Sequence, residues 1–350
     1  MTITYMRRVT SVEVQLLACN FLLCTIALLH ETANAGFSDK PTYSLFQQTL
    51  GPSLYISPVT YSHQLLGPWC ENITDCIPSY FYVTQWDSTS PLNVSAIVSG
   101  DSSTYCPNND GLYRTLWYVR DANVVFCMQE YVENATYALW VSQCGISLKC
   151  GNEMDNFLAP TDRAYNNTPV LNMNGSLSMI SVHNLTAFFT LDLVSFSSTP
   201  RCGSPQQCGP SGTVDYGYIT LGVVLSNKDQ TIFYQVIFAD TRGPPSCPNN
   251  DPCSPFSYWF FTTLPTLGFS ESVSNIGNPN CSCYTPGKGA KACVLLIMPR
   301  LQYVINTAAE QFGSDPTLAD WFITGVYLGP GMEGSAESSL RLSAFDIRYD

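Results

Sequence analysis

The sequence predicts an all-β protein, a disulfide-pinned β-sandwich or jelly roll with one amphipathic helix near residues 300–312. Three observations predict it. Short apolar or alternating segments recur along the chain, and clusters of Gly, Pro, Asn and Ser separate them at close spacing. Helical periodicity holds over one stretch alone, which suits a sandwich better than a mixed fold.

In chain order, FYVTQWD (81–87) and YRTLWYVRD (113–121) are the first clear strand segments. On the second, Tyr113, Thr115, Trp117 and Val119 share one face, and Arg114, Leu116, Tyr118 and Arg120 share the other, because successive strand residues point to opposite sides. YALWVS (137–142) follows. In LTAFFTLDLVSF (185–196), Leu185, Ala187, Phe189, Leu191 and Leu193 fall on one face, the pattern of a half-buried strand. YGYITLGVVLS (216–226) reads similarly. TIFYQVIFAD (231–240) is apolar on both faces except at Gln235, as a central strand requires. PRLQYVINTAAEQFG (299–313) departs from this pattern: Leu301, Val304, Ile305, Ala308 and Phe312 repeat at helical spacing and Gly313 is a stop signal. The helix is expected to cover an end or face of the sandwich. GPGMEGSAESS (329–339) reads as a loop, and LRLSAFDIRY (340–349) as the closing strand.

The first 35 residues have the layout of a secretory signal. Arg7 and Arg8 precede the apolar run LLACNFLLCTIALL (16–29), and Ala33-Asn34-Ala35 offers a small-x-small cleavage site. No later stretch is long and apolar enough to span a membrane, so no membrane insertion is expected after cleavage. Residues 36–350 would be the secreted β-sandwich region, either one elaborated domain or two related units dividing near 160–180. The second possibility comes from CENITDC (70–76) and CPNNDPC (247–253), each of which leads into a Ser-Tyr pair and an aromatic run.

Asn72, Asn93, Asn134, Asn166, Asn174, Asn184 and Asn280 head N-glycan acceptor triplets. Signal cleavage removes Cys19 and Cys24 from the 15 cysteines and leaves an odd number. In an oxidising compartment this predicts a disulfide framework with one thiol over, through which a disulfide-linked dimer could form. Cysteines six positions apart recur four times, and local pairing is expected: Cys70 with Cys76, Cys144 with Cys150, Cys202 with Cys208, and Cys247 with Cys253. Cys106 and Cys127 could bridge the ends of the 113–121 strand region, while Cys281, Cys283 and Cys293 leave one odd member.

Charge excludes some partners. The net charge is −12 and charged residues make up 12% of the chain, so there is no basic footprint for nucleic acid or an anionic membrane. No cofactor is expected. Calcium is the one candidate metal, through Asn108, Asn109 and Asp110 or through Asn249, Asn250 and Asp251. Each group carries a single carboxylate, and calcium prefers several, so both read as turns.

Catalytic signatures are sparse. Gly100-Asp101-Ser102-Ser103 resembles the nucleophile segment of SGNH hydrolases, but that family needs a late Asp-x-x-His, and no histidine follows His183. Glu130 and Glu133 have odd separation and would face opposite sides of a strand, and Glu333 and Glu337 fall in the segment read as a loop. The balance leans away from an enzyme.

The aromatic content is high, with 20 Tyr, 18 Phe and 6 Trp. Rings stack on the apolar faces of sugars, and amides and charged groups bond their hydroxyls. Two sets offer that combination: Gln85, Trp86 and Asp87, and the strand face of Arg114, Tyr118 and Arg120. The segment 321–350 resembles the closing part of lectin-like jelly rolls in its arrangement. The expectation is a secreted recognition glycoprotein with an extracellular glycan or glycoprotein as partner, most simply a carbohydrate-binding one. Two alternatives stand beside it: a secreted polysaccharide-degrading glycosidase or lyase, and a structural coat or matrix glycoprotein.

Overall fold

Strand pairing in the computed structural model turns these segments into two stacked sheets. The structure describes residues 81–86, 92, 97–100, 104–108, 111–121, 123–144, 153–160, 177–197, 216–240, 257–277, 281, 284, 286–334 and 336–350, with the backbone of 43–44 and 55–58. All lie within Thr42–Asp350, one compact unit.

The strands begin with β1 (Tyr43–Ser44), β2 (Tyr55–Pro58), β3 (Phe81–Trp86), β4 (Val98–Ser99), β5 (Tyr113–Arg120) and β6 (Val124–Tyr131). Next come β7 (Thr136–Cys144), β8 (Glu153–Pro160), β9 (Leu177–Ser178), β10 (Leu185–Ser197), β11 (Tyr216–Ser226) and β12 (Thr231–Asp240). The series ends with β13 (Ser257–Thr263), β14 (Thr266–Ser272), β15 (Lys291–Leu296), β16 (Phe322–Glu333) and β17 (Glu337–Tyr349). An eight-stranded sheet has the order β15-β10-β17-β7-β6-β5-β4, with β1 beside β17. A nine-stranded sheet has the order β13-β14-β12-β11-β16-β8-β3-β2, with β9 beside β16. Pairing is antiparallel except between β12 and β14 and between β2 and β3. Along the order of each sheet, the strands before residue 160 form one run and those after residue 180 another, and the runs meet at the β7–β17 and β8–β16 pairs.

The core lies between the sheets. From β10 it takes Leu185, Ala187, Phe189, Leu191 and Leu193, and from β11 Ile219, Leu221, Val223 and Leu225. Trp117, Phe126 and Leu139, on β5, β6 and β7 of the eight-stranded sheet, belong to the same core. Each fully buried large apolar side chain contributes about 1.5–3 kcal/mol. A polar tie also crosses the core. Gln85 on β3 donates to Asn156 on β8 (3.2 Å) and to Asp121 (2.9 Å), and Asn156 donates to Gln143 on β7 (2.7 Å).

The helix α1 (Met298–Phe312) ends at Gly313, whose φ of 71° is the left-handed conformation that glycine adopts without a Cβ penalty. Its apolar stripe of Met298, Leu301, Val304, Ile305 and Ala308 joins the same core. Phe312 and Tyr303 pack on Trp259 and Phe269, so α1 covers the inner side of β13 and β14. Glu271 on β14 is fully buried there, and Arg300 from the first turn of α1 grips it.

One sequence expectation is corrected. The segment 329–339 is not a loop: β16 runs through Gly329, Pro330 and Gly331 to Glu333, and β17 resumes at Glu337. The physical reason is side-chain space on the sheet.

Candidate functional site

Among the described residues, the outer face of the nine-stranded sheet groups aromatic rings with polar side chains. The eight-stranded sheet and α1 both pack against its inner face, since their buried residues share the core with Leu221, Val236 and Phe269. Outward-facing positions form straight rows across the strands. One row reads Asp155, Gly331, Tyr218, Asp240, from β8 through β16 and β11 to β12. Another reads Tyr327, Gly222, Gln235, Ser270, from β16 through β11 and β12 to β14. Four residues along β11 separate the two, about 13 Å.

Both rows use the same device. The Tyr327 ring lies across Gly222, where an added Cβ would stand 1.9 Å from its Cζ. Crossing that strand brings the Tyr327 hydroxyl to Gln235, whose Nε2 donates to it at 3.1 Å, and Ser270 donates to Gln235 Oε1 at 2.9 Å. In the other row, the Tyr218 ring lies across Gly331, where a Cβ would stand 2.3 Å from its Cζ. The Tyr218 hydroxyl then donates to Asp155 Oδ1 at 2.5 Å. Between the rows, Phe157 crowds Gly329 and packs on Tyr327, with ring centroids 4.6 Å apart. A strand residue with a side chain would hold each ring off the sheet, so the glycines are seats for rings laid flat. Replacing Gly222 with alanine is expected to displace Tyr327 and cost about 1–3 kcal/mol in urea unfolding. Gly217→Ala on the same strand, where an added Cβ meets nothing closer than 3.4 Å, is the control expected to cost less.

Tyr218 is 4% exposed, Tyr327 2% and Gln235 9%, so these groups are held rigidly at the floor of the face. Tyr216, Val224 and Phe233 are half-buried, and there the ring cluster meets solvent. The arrangement offers π faces, amide and hydroxyl donors and a carboxylate acceptor, in fixed positions. These are the group types that can stack on apolar faces and hydrogen-bond hydroxyls.

The residues singled out from the sequence lie elsewhere. Gln85 is fully buried on the inner face, and its Oε1 accepts from the Leu92 backbone at 2.8 Å. Its amide is committed to the polar tie between the sheets. The Trp86 side chain and Asp87 fall outside the described residues. Arg114, Tyr118 and Arg120 belong to the eight-stranded sheet. Exposed Arg114 pairs with Glu130, Tyr118 packs on Tyr105 (5.6 Å), and Arg120 lies 4.4 Å over the Tyr105 ring. Sequence reasoning missed Tyr218, Tyr327 and Asp155. The signal was there: Gly217 and Gly222 inside one strand pattern, and Gly325, Gly329 and Gly331 inside the next.

Disulfides join Cys106 to Cys127 and Cys281 to Cys293. Cys144 at the end of β7 is also disulfide-bonded, to a partner outside the described residues. Cys70, Cys76, Cys150, Cys202, Cys208, Cys247 and Cys253 lie outside them too, as do Asn109, Asp110 and the 249–251 group. Among the described residues no cluster of three His, Cys, Asp or Glu could hold a metal, and no helix is long and apolar enough to cross a membrane.

Of the seven glycan acceptors, Asn134 and Asn184 are described. Asn134 is exposed at the tip of the β6–β7 hairpin, where its Oδ1 accepts from the Thr136 backbone N–H (3.1 Å) and hydroxyl (2.7 Å). Asn184 donates its amide to both carboxylate oxygens of Asp350 at 3.0 Å.

No family model and no curated protein matches the sequence. Among solved structures, the native family 12 xyloglucanase from Bacillus licheniformis is similar over 75% of this chain and 100% of that chain, at 10% identity and a TM-score of 0.37. A likeness at that level assigns neither activity nor substrate.

Proposed function

We propose that the protein is a secreted glycoprotein that recognises carbohydrate on the outer face of its nine-stranded sheet. The observation that carries this reading is the pair of tyrosines, Tyr218 and Tyr327, seated flat over strand glycines with each hydroxyl engaged by a polar neighbour. Rings fixed in that way form a rigid floor, and the half-buried Tyr216 and Phe233 beside them offer the ring surface on which a sugar stacks at little cost in entropy. Asp155, Gln235 and Ser270 supply the few directional groups that such a site needs. The five disulfide-bonded cysteines among the described residues favour an oxidising, extracellular setting. The free amide edge and exposure of Asn134 make it the preferred glycan acceptor; peptide mass spectrometry of the secreted protein is expected to find it occupied and Asn184 bare.

The test is binding of the purified chain to a broad glycan array. Selective binding is expected, and Tyr327→Ala is expected to weaken it by about 10- to 30-fold, the loss typical of a buried aromatic anchor. Arg348→Ala, on an exposed ion pair of the other sheet, should leave binding unchanged. An array with no bound glycan, or binding indifferent to Tyr327, would remove the proposal.

A further inference from the structure

The row of Tyr327, Gly222, Gln235 and Ser270 continues onto β13, where Tyr258 stands opposite Ser270. The neighbouring row reads Gly325, Val224, Phe233, Gly268, Phe261. A β-bulge between Trp259 and Phe261 sets two residues of β13 against Gly268. Phe260 and Phe261 therefore come to the same outer side, while Trp259 faces inward onto Phe269 and Phe312. Gly268 seats the Phe260 ring as Gly222 seats Tyr327: an added Cβ would stand 2.4 Å from Phe260 Cε2. Phe261 packs on Phe260 (centroids 4.8 Å apart) and on Phe233 (6.3 Å), and Tyr258 lies 6.5 Å from Phe260. Unlike Tyr218 and Tyr327, this ring group reaches water: Tyr258 is 38% exposed and Phe261 49%.

We propose that β13 carries a second ring platform of the same site, and that the ligand is a linear oligosaccharide of several units laid across the strands, not a single terminal sugar. The inference rests on the carbohydrate reading above. Along one row, Tyr327 and Tyr258 are four strand spacings apart, about 19 Å. No single sugar ring spans that distance. Gln235 and Ser270 lie between the two ring groups, so the middle of such a chain meets an amide and a hydroxyl while its ends meet rings. Exposed rings grouped in one patch carry a cost in water that a bound apolar sugar face removes. The bulge bears on the same point. Regular alternation would turn Phe261 towards the core, and the extra residue keeps it outside.

The experiment takes the glycan bound most tightly on the array and measures, by titration calorimetry, the affinity of a length series from its monosaccharide to its hexasaccharide. Affinity is expected to rise with each added unit and to level off once the chain covers the face. Phe261→Ala is expected to weaken the longest chains by about 5- to 10-fold, with a smaller loss for shorter ones. Tyr258→Ala, at another exposed position, gives the same reading should the first variant not fold. Affinity independent of length would overturn this inference and leave the carbohydrate reading standing. So would a length series unaltered in both variants while Tyr327→Ala still weakens binding. Sedimentation velocity supplies one further outcome: a dimer that Phe261→Ala dissociates would assign the β13 edge to a second copy of the chain, and would overturn the inference as well. No binding to any glycan, or binding untouched by Tyr327→Ala, would overturn both.

Discussion

Replacing Glu271 with glutamine is expected to lower stability by about 3–5 kcal/mol, the usual cost of breaking a buried ion pair from one side. The carboxylate is fully buried on β14 beneath α1. Oε1 accepts from the Tyr234 hydroxyl at 2.5 Å and from Arg300 Nε at 2.9 Å, and Oε2 accepts from Arg300 Nη2 at 2.5 Å. Two acceptor oxygens thus serve three donors, a geometry that one amide oxygen cannot reproduce. The variant leaves Arg300, 24% exposed, as a cation without its counter-charge at the start of the helix, where the helix dipole is also positive. Glu271→Leu with Arg300→Met should recover much of the loss, because the pair's own desolvation cost disappears with it. Urea unfolding of the three proteins checks this; a loss below about 1 kcal/mol in Glu271→Gln would contradict the anchoring role.

The same cluster sets a response to alkali. Burial, with the Glu271 charge second, holds the Tyr234 phenol well above its ordinary value. The unfolded chain releases that proton near pH 10, so the associated stability is complete below about pH 10 and is lost as pH rises beyond it.

Removing the Cys106–Cys127 disulfide by a double serine substitution is the second large effect, at about 3 kcal/mol for the loop it closes. The two cysteines are 21 positions apart, and the bond pins the segment around Tyr105–Pro107 onto the outside of the eight-stranded sheet. Under that segment lies Arg341 of β17, whose side chain is 2% exposed. It sits 3.8 Å over the Tyr113 ring and donates to Gln129 Oε1 at 3.0 Å and to the Pro107 carbonyl at 3.4 Å. Asp192 is 3.9 Å away. Burial is the largest influence on Arg341 and pulls its guanidinium below the ordinary range, so its charge is held there at a cost. Freeing the cap admits water to Arg341, and thermal unfolding should fall accordingly. A shift worth less than about 1 kcal/mol would mean that the cap holds without the bond.

These effects bear on what the sequence makes legible. Alternation revealed β10 because one face is core and the other half-exposed, and every position assigned inward is buried. The helix was legible because its apolar residues repeat at 3.6 and Gly313 ends it. The strand β16 was hidden because Gly329, Pro330 and Gly331 carry turn chemistry. In the folded chain the two glycines make room for Phe157 and Tyr218, an event set by neighbouring strands far away in sequence. Gln85 illustrates the converse. A polar residue at a strand end suggests an exposed ligand group, but a sandwich core can bury an amide when Asn156 and Asp121 meet it. The site rows are long-range objects: Asp155, Gly331, Tyr218 and Asp240 come from four strands, and no local window of sequence contains them.

The measurement that tests the central claim most directly is hydroxyl-radical footprinting of the chain with and without a saturating glycan from the array. Protection is predicted at Tyr216 and Phe233, the half-buried rings through which the outer face of the nine-stranded sheet meets solvent. Protection confined to Tyr105 and Tyr118, on the other sheet, would contradict the account.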